Sequence, residues 1–466
     1  MKILLPLAAL LNLSTANASL ISVMDSGTDM SHKDLTVKSY VNTKEKVGNV
    51  DVDGDGLPGN VYGYDFTTNT PNPFDAKYNY LITNDVKNFF NYYAKYELGT
   101  ITAQEMQALR VLSQNDKVMN DANFIGGYIH GTHVAGISTI NVPNARILPF
   151  KIIPTVYQDP TAVTPPAQDG NSGNTKPVVD NTPVMTIDEL KSELIKEAGN
   201  NIEEMAQIHK VINFHKVDVV NQSFGIGFVN AMDFINSAFI ETQKREPTKQ
   251  ELEALVRSYM NTLVTEGTRM YQAAPDTVFC VAAGNDTNNN DLNPDYPSNI
   301  QVENKISVAA TQGYTKIAEF SNFGPKTVDV AAPGVAITAT APTNTYIPLS
   351  GTSQATPFVT NTIAQMKDAN PSLKPRDIKQ IILQTVDVKP WLASKVRSSG
   401  IVNKVRAIKA AVNMKTMSIE QAILKAKAEV ADVATVKNKS LGLDATQKMP
   451  LGFKFNLKRP SLLIKK

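Results

Sequence analysis

The sequence predicts an α/β fold with a mainly parallel central sheet, helices on both faces, and added helical and loop insertions. The segments at residues 20–24, 147–153 and 278–283 predict strands, and the apolar first segment predicts a parallel strand buried on both faces. The first segment ends at Asp25-Ser26-Gly27, so it carries a carboxylate at its carboxyl end. That edge of an open parallel sheet is where ligands bind, so the same segment marks a candidate site.

The overall composition sets the scale of the protein and excludes some partners. The chain has 466 residues and a formal net charge of +2, which creates no extended basic field. We therefore expect no nucleic-acid partner, and we expect a monomer. The length allows one large domain with insertions. No run beyond the N-terminal one is long and apolar enough to predict a membrane span.

Residues 1–18 have the pattern of a signal peptide. Lys2 precedes a short apolar run at residues 3–11, and Ala16-Asn17-Ala18 supplies small residues for cleavage before Ser19. A buried apolar strand or helix is the alternative interpretation. The pattern predicts that the mature protein is secreted or periplasmic.

The single cysteine, Cys280, cannot form an intramolecular disulfide. Its apolar neighbours at residues 278–283 predict a buried and unreactive thiol. Cysteine usage therefore neither supports nor opposes export.

Residues 350–359 can turn a serine hydroxyl into a nucleophile. Gly351 permits a tight turn, and Pro357 is tolerated in the first turn of a helix, which predicts that Ser353 lies at a helix N-terminus. There the backbone N–H groups and the positive end of the helix dipole favour a developing oxyanion. The residues alone also fit a helix start that performs no chemistry.

Other polar residues follow predicted strands or begin helices, and each of them, taken alone, also fits a role outside catalysis. Asp25 alone is typical of an acid that caps a turn, and Asn285 alone is typical of a helix cap. His130 and His133 share one helix face and could bind a metal. No glutamate accompanies them in the arrangement of zinc proteases.

Taken in chain order, these segments resemble the motifs of the subtilisin-like serine proteases, the peptidase S8 type. The resemblance lies in residues 23–27, 130–136 and 281–285, in Gly351-Thr352-Ser353 and in Ala355-Thr356-Pro357. It implies the subtilisin-like three-layer fold and a serine endopeptidase that acts on proteins or peptides through an acyl-enzyme. It implies that Asp25 is the orienting acid and His130 the general base. It also implies that Ser353 is the nucleophile and Asn285 the oxyanion donor.

The resemblance extends to the substrate-binding positions, with two departures near the nucleophile. It implies that substrate binds at Ser223, Gly225, Ala283 and Gly284. The family usually has methionine and histidine where this chain has Gln354 and Phe358. Neither position performs the chemistry, so activity is still expected.

Asp51, Asp53 and Asp55 stand at alternate positions, with Gly54 and Gly56 for a sharp turn, in a pattern that hard cations prefer. They predict a structural calcium site, with a solvated acidic turn as the alternative. Tyr62 stands where a helix–loop–helix calcium loop has its glutamate. The chemistry itself requires no cofactor. The polar loop from Asp286 to Asp295 also offers carboxylates that could hold a cation.

The predicted domain order is a signal peptide at 1–18, a catalytic domain at 19–413 and a C-terminal extension of unknown role at 414–466. Insertions are predicted near residues 67–127, 154–215 and 230–275. The first contains one amphipathic helix at about residues 103–119. Capping boxes, Thr186 with Glu189 and Thr248 with Glu251, start helices in the other two.

Two rival functions fit the same motifs. A protein of this fold that has lost activity would be a binding module, although all four motif residues are present here. An esterase or transpeptidase would use the same acyl-enzyme with a different acceptor or substrate.

Overall fold

The structure is a computed structural model that describes residues 18–158 and 183–433. The predicted signal peptide, apart from Ala18, lies outside the described residues. So do most of the predicted loop after residue 154 and the predicted C-terminal extension beyond residue 433.

A mainly parallel sheet forms the centre of the described chain, which confirms the predicted α/β class. From one edge to the other its strands lie in the order β11-β12-β8-β6-β5-β4-β1-β3-β2, with β7 antiparallel to β6. Strands β9 and β10 form a separate antiparallel hairpin. The strands are β1 Leu20–Asp25, β2 Tyr64–Asp65, β3 Arg146–Lys151, β4 Val219–Gln222, β5 Val278–Ala282, β6 Lys305–Gln312, β7 Lys316–Ile317, β8 Val330–Pro333, β9 Ile337–Ala341, β10 Thr345–Leu349, β11 Asp387–Val388 and β12 Gly400–Ile401.

Helices cover both faces of this sheet. Among the described residues, none of them combines the length and apolar character needed to cross a membrane. The helices are α1 Asn84–Leu98, α2 Ala103–Ser113, α3 Asp116–Tyr128, α4 His130–Thr139, α5 Ile187–Phe214, α6 Phe228–Gln243, α7 Lys249–Glu266, α8 Thr268–Gln272, α9 Thr352–Ala369, α10 Pro375–Gln384, α11 Lys404–Asn413 and α12 Ile419–Glu429.

The side chains of β1 show how the three layers are built. Leu20 and Met24 belong to the core that also contains apolar residues of α5, α6 and α7. Ile21 and Val23 belong to the opposite core, shared with α4, α9, α10 and α11. Successive side chains of a strand point to opposite faces, so a strand covered by helices on both sides must be apolar throughout.

The first insertion contains three helices where the sequence predicted one. The predicted helix at 103–119 is wrong, because α2 ends at Ser113 and α3 begins at Asp116. Asn115 breaks the run by capping α3, with its side chain accepting from the Val118 N–H. Helices α1 to α3 share a separate core with the β9–β10 hairpin. Both predicted capping boxes are confirmed, at the starts of α5 and α7.

Cys280 lies in β5 and is fully buried, as predicted. Burial raises the pKa of its thiol to about 12. A thiol in such surroundings stays protonated and unreactive at neutral pH.

Helix α4 approaches its neighbours closely at two glycines. A β-carbon at Gly131 would lie 2.2 Å from the carbonyl oxygen of Gly27, in the loop after β1. A β-carbon at Gly136 would lie 2.2 Å from Thr340 Oγ1 in β9. Thr340 donates that hydroxyl to the carbonyl of Thr132, 2.7 Å away. The small residues therefore set the distance between α4, the sheet and the hairpin.

We predict that Gly136→Ala lowers the free energy of unfolding by about 1–3 kcal/mol, because the added methyl overpacks a filled site. Gly199→Ala in α5 is the matched control, since no atom outside the adjoining helix backbone lies within 4 Å of its added β-carbon. That control should stabilise the protein by about 0.5–1 kcal/mol through helix propensity. Urea unfolding of the two variants measures both effects, and equal effects of the same sign would contradict the packing argument.

Candidate active site

Asp25 and His130 form a buried hydrogen-bonded pair where β1 ends and α4 begins. His130 Nδ1 lies 2.8 Å from Asp25 Oδ1, which also accepts from the Ser26 N–H at 2.7 Å. The two side chains are almost completely inaccessible to solvent. A carboxylate accepts hydrogen bonds, so this contact favours a hydrogen on Nδ1 and leaves Nε2 as the acceptor.

Ser353 is the second residue of α9, and a reciprocal contact with Ser223 holds it. The prediction that Pro357 lies in the first turn is wrong, since it is the sixth residue of α9. Proline lacks the N–H that would bond the carbonyl four residues earlier, which is that of Ser353. Ser223 Oγ supplies the missing donor at 3.0 Å, and Ser353 Oγ donates to the Ser223 carbonyl at 3.1 Å.

Asn285 follows β5 and is tied to the start of α9. Its Oδ1 accepts from the N–H of Thr352 at 2.8 Å and from the Thr352 hydroxyl at 2.9 Å. Gly284, with a φ of +107°, makes the turn before it and donates its N–H to the same hydroxyl at 3.2 Å. Because both acceptor contacts use Oδ1, the Asn285 amide is held with its NH₂ group available as a donor.

One cleft brings most of the sequence-predicted residues together. Its empty volume is about 660 Å³, including the open mouth. Asp25 is buried behind the lining and bonds His130, and Ala283 is fully buried and does not line the cleft. The predicted residues that line it are His130, Ser223, Gly225, Gly284, Asn285 and Ser353.

Gln354, one of the two departures from the family pattern, also lines the cleft. Its Nε2 is buried and has no hydrogen-bond partner among the described residues. An amide donor is therefore available close to Ser353.

His133 has a structural position in α4. Its Nε2 lies 3.0 Å from the carbonyl of Ile337 and 2.9 Å from that of Ile347, so it donates to both strands of the hairpin. Burial, with a smaller contribution from His130, lowers the pKa of His133 to about 3. The ring is neutral and fastens α4 to β9 and β10.

Sequence reasoning missed Glu97, which comes from the first insertion. At the end of α1, Glu97 accepts from Ser350 Oγ at 2.5 Å, three residues before Ser353. Ser350 Oγ in turn accepts from the Ala336 N–H at 2.8 Å. Burial raises the pKa of Glu97 to about 7. No local sequence pattern predicts this contact, because 253 positions separate the two residues.

The acidic loop at residues 51–55 lies outside the lining of the cleft. Asp51 and Asp53 offer carboxylate oxygens within 4.8 Å of each other and of Glu45. Asp55 instead accepts from His215 Nε2 at 2.7 Å, and Asp53, Asp55 and His215 form a second such group. The predicted trio is thus divided between two clusters that share Asp53.

Comparison with known proteins gives matches over most of the chain and others over parts of it. The model of the subtilase family matches residues 16–405. Thermitase of Thermoactinomyces vulgaris is 47% identical over 83 residues, which are 18% of this chain and 28% of thermitase. Subtilisin-like protease 1 of Plasmodium falciparum (isolate 3D7) is 23% identical over 425 residues, which are 89% of this chain and 46% of that protein.

The chain spans less than half the length of these curated relatives. Among solved structures, that of a cold-adapted subtilisin-like serine proteinase is 17% identical, with a TM-score of 0.40. The alignment covers 83% of this chain and 88% of the other. The family match over residues 16–405 decides the assignment, and the chain belongs to the subtilase family.

Proposed function

We propose that the protein is a secreted or periplasmic serine endopeptidase that hydrolyses peptide bonds in protein or peptide substrates. Ser353 is the nucleophile, His130 the general base and Asp25 the orienting acid. The observation that carries the proposal is the buried Asp25–His130 hydrogen bond, 2.8 Å long, beside a serine at a helix start in the same cleft.

Proton transfer follows from the tautomer that Asp25 selects. With hydrogen on Nδ1, His130 presents the Nε2 lone pair to the cleft. The Ser353 hydroxyl leaves the Ser223 carbonyl, turns toward His130 and gives up its proton as its oxygen attacks the scissile carbonyl. Asp25 stabilises the imidazolium, which then protonates the leaving amine. Water hydrolyses the acyl-enzyme by the same proton transfers in reverse.

Two neutral donors serve the oxyanion. The Asn285 NH₂ group is one, held by the contacts of its Oδ1 with Thr352. The Ser353 N–H is the other, since an α-helix leaves its first N–H groups without intrahelical partners. Donors fixed before the reaction need no reorganisation when charge develops, so they stabilise the transition state more than the substrate.

We predict that Ser353→Ala lowers turnover of a peptide substrate by about 10⁶-fold. Asn285→Ala should lower it by about 10²- to 10³-fold, because one oxyanion donor is lost. Both magnitudes were measured on a subtilisin. Labelling by a fluorophosphonate probe, alongside peptide kinetics, distinguishes the variants: Ser353→Ala should not label, and Asn285→Ala should label slowly.

Ser192→Ala, an exposed serine of α5, is the matched control and should label like wild type. A folded wild-type protein that fails to label would contradict the proposal and favour a binding module. Labelling with turnover of short-chain esters but no peptide cleavage would favour the esterase. Transfer of the acyl group to an added amine in place of water would favour the transpeptidase.

Export is supported by the contacts of Ser19, the residue that follows the predicted cleavage site. Its N–H donates to Asp368 Oδ1 at 2.9 Å, and its hydroxyl donates to the Ala364 carbonyl at 2.7 Å. Cleavage before Ser19 would convert this N–H into an α-ammonium group beside a carboxylate. A relative in Xanthomonas campestris, 35% identical over 145 residues, is named an extracellular protease.

We predict that the full chain, expressed in an exporting bacterium, yields a mature protein that begins at Ser19. N-terminal sequencing checks this directly. In that protein Asp368→Asn should lower the free energy of unfolding by about 1.5–3 kcal/mol, since it removes a charge-assisted hydrogen bond. Asp276→Asn, at an exposed ion pair with Lys374, is the control and should change it by less than about 1 kcal/mol. A different first residue would contradict the assigned cleavage site.

Calcium is proposed to stabilise the loop at residues 51–55. The carboxylates of Glu45, Asp51 and Asp53 are the oxygen ligands that this cation prefers, and they converge within 4.8 Å. Bound calcium would offset the repulsion among these acids. It has no part in the chemistry.

We predict that calcium raises the unfolding temperature of the wild-type protein and that a chelator reverses the change. At 100 times the dissociation constant, the gain in free energy of unfolding should be about 2.7 kcal/mol. Asp53→Asn should remove most of this gain, because Asp53 belongs to both acidic clusters. An unfolding temperature that does not respond to millimolar calcium would rule the site out.

A further inference from the structure

Two carboxylates line the cleft close to the predicted nucleophile, and one of them is buried without a full set of partners. Asp295 is only 2% exposed, and Asp286 belongs to the same lining. Asp295 Oδ1 has no hydrogen-bond partner among the described residues, and Oδ2 lies 3.5 Å from Asn322 Nδ2. A buried carboxylate in this condition is costly and requires an explanation.

Glycines surround these carboxylates. A β-carbon at Gly225 would lie 3.0 Å from Asp295 Oδ1, and one at Gly284 would lie 2.6 Å from Oδ2. A β-carbon at Gly227 would lie 2.7 Å from Asp286 Oδ2. A side chain at any of these positions would collide with a carboxylate, so the carboxylates pack directly against glycine backbone. The three glycines add no side chains to the cleft that they line together with Asp286 and Asp295.

Backbone hydrogen bonds fix the position of Asp295 relative to this glycine segment. The N–H of Ile226 donates to the Tyr296 carbonyl at 2.7 Å, and the N–H of Tyr296 donates to the Ile226 carbonyl at 3.0 Å. Gly225 and Gly227 flank one member of this pair, and Asp295 precedes the other. These two backbone hydrogen bonds therefore hold the Asp295 carboxylate at a fixed position beside Gly225 and Gly227.

Two other buried aspartates have cationic partners within the protein. Asp329 lies 3.0 Å from Arg397 Nη1 and 3.5 Å from Lys379 Nζ. Asp387 lies 3.3 Å from Arg406 Nη1 and also accepts from Asn403 Nδ2 at 2.7 Å. These two buried acids are therefore paired with cations inside the fold.

Asp295 forms no such ion pair among the described residues. No lysine or arginine is among the described residues that line the cleft. The charge of the buried Lys305 lowers the pKa of Asp295, an effect smaller than that of burial, and its Nζ donates to the Ser298 carbonyl. Burial, with the charge of Asp286, raises the pKa of Asp295 well above its ordinary range.

We propose that Asp295, with Asp286 beside it, binds the cationic side chain of the residue whose carbonyl is attacked, so that the protein cleaves after lysine or arginine. The proposal rests on the proposed function and names its substrate class. The side chain would enter between Gly225 and Gly284, both of which are predicted substrate-binding positions. An ammonium or guanidinium group supplies charged donors to Asp295 Oδ1 and offsets the buried negative charge.

The test uses the mature wild-type protein and fluorogenic peptides that differ only at the acyl-side residue: lysine, arginine, methionine or glutamate. Methionine matches most of the lysine chain without its charge. We expect kcat/KM for lysine and arginine to exceed that for methionine by at least about 30-fold, the lower bound for a buried charge pair. Glutamate should be the poorest substrate. Equal kcat/KM for lysine and methionine would overturn the proposal without any variant.

Variants assign the selectivity to the carboxylates. Asp295→Asn should lower the lysine-to-methionine ratio of kcat/KM by about 30-fold or more. Asp286→Asn should lower this ratio by a smaller factor. That variant provides the same test if Asp295→Asn does not fold. Asp233→Asn removes an exposed carboxylate of α6 and should leave the ratio unchanged. A fall in kcat/KM that is the same for lysine and methionine peptides would show that Asp295 does not select the side chain.

Binding separates failure of this proposal from failure of the proposed function. Calorimetric titration of Ser353→Ala with peptide amides that end in lysine or methionine needs no turnover. Preference for the lysine peptide that disappears in Ser353→Ala/Asp295→Asn supports the pocket even if wild type neither labels nor cleaves. Equal affinity for the two peptides overturns the pocket even if wild type is an active protease.

Discussion

The hydrogen bond between Asp25 and His130 is the contact on which the cleft depends, because it joins the end of β1 to the start of α4 in the interior. Gly131 makes the contact possible, since its backbone approaches Gly27 so closely that a β-carbon would collide with the carbonyl. The Gly131 N–H also donates to Ser26 Oγ at 3.2 Å. A shift of α4 away from this loop would leave the buried carboxylate of Asp25 without its histidine, which is costly. The packing of α4 and the geometry of the pair therefore support each other.

Helix α9 is held at the same edge of the sheet by contacts that its own sequence makes necessary. Pro357 deprives the Ser353 carbonyl of its helical partner, and Ser223 at the end of β4 provides the replacement. Thr352 gives its N–H and hydroxyl to Asn285 at the end of β5. The first contact holds Ser353 beside the end of β4. The second holds the start of α9 beside Asn285, which follows β5. In the free protein the Ser353 hydroxyl bonds the Ser223 carbonyl, so reaching His130 requires breaking a hydrogen bond with a net contribution of about 1 kcal/mol.

The sequence predicts the local part of this arrangement and fails where position depends on distant segments. The strand that ends at Asp25 and the helix that begins near Ser353 follow from local apolar patterns and helix-start residues, and the family resemblance orders them. The prediction of a single helix at 103–119 is wrong because Asn115 can either continue a helix or cap the next one. The contact of Glu97 with Ser350 joins an insertion to the core across 253 positions. The loop that ends at Asp295 showed only carboxylates able to hold a cation, since its position depends on long-range pairing with Ile226.

Several buried polar atoms of the described chain lack hydrogen-bond partners, both inside and outside the cleft, and those of Asp25, Asp295 and Asp329 are carboxylate oxygens. Asp25 is paired with His130 and Asp329 with Arg397, so Asp295 is the acid among them without an ion pair. In a stable interior nearly every buried polar atom has a partner, so each exception needs an explanation. Within the described residues, Gln354 Nε2 and Asp295 Oδ1 are buried without partners, and both residues line the cleft. His133 Nδ1 also lacks a partner, but that ring is neutral and its other nitrogen bonds two strands, so the cost of its position is small. A carboxylate has no such neutral alternative unless it binds a proton. Burial of the Asp295 carboxylate without an ion pair therefore lowers the free energy of unfolding of the free protein. A cation that enters the cleft would offset this cost.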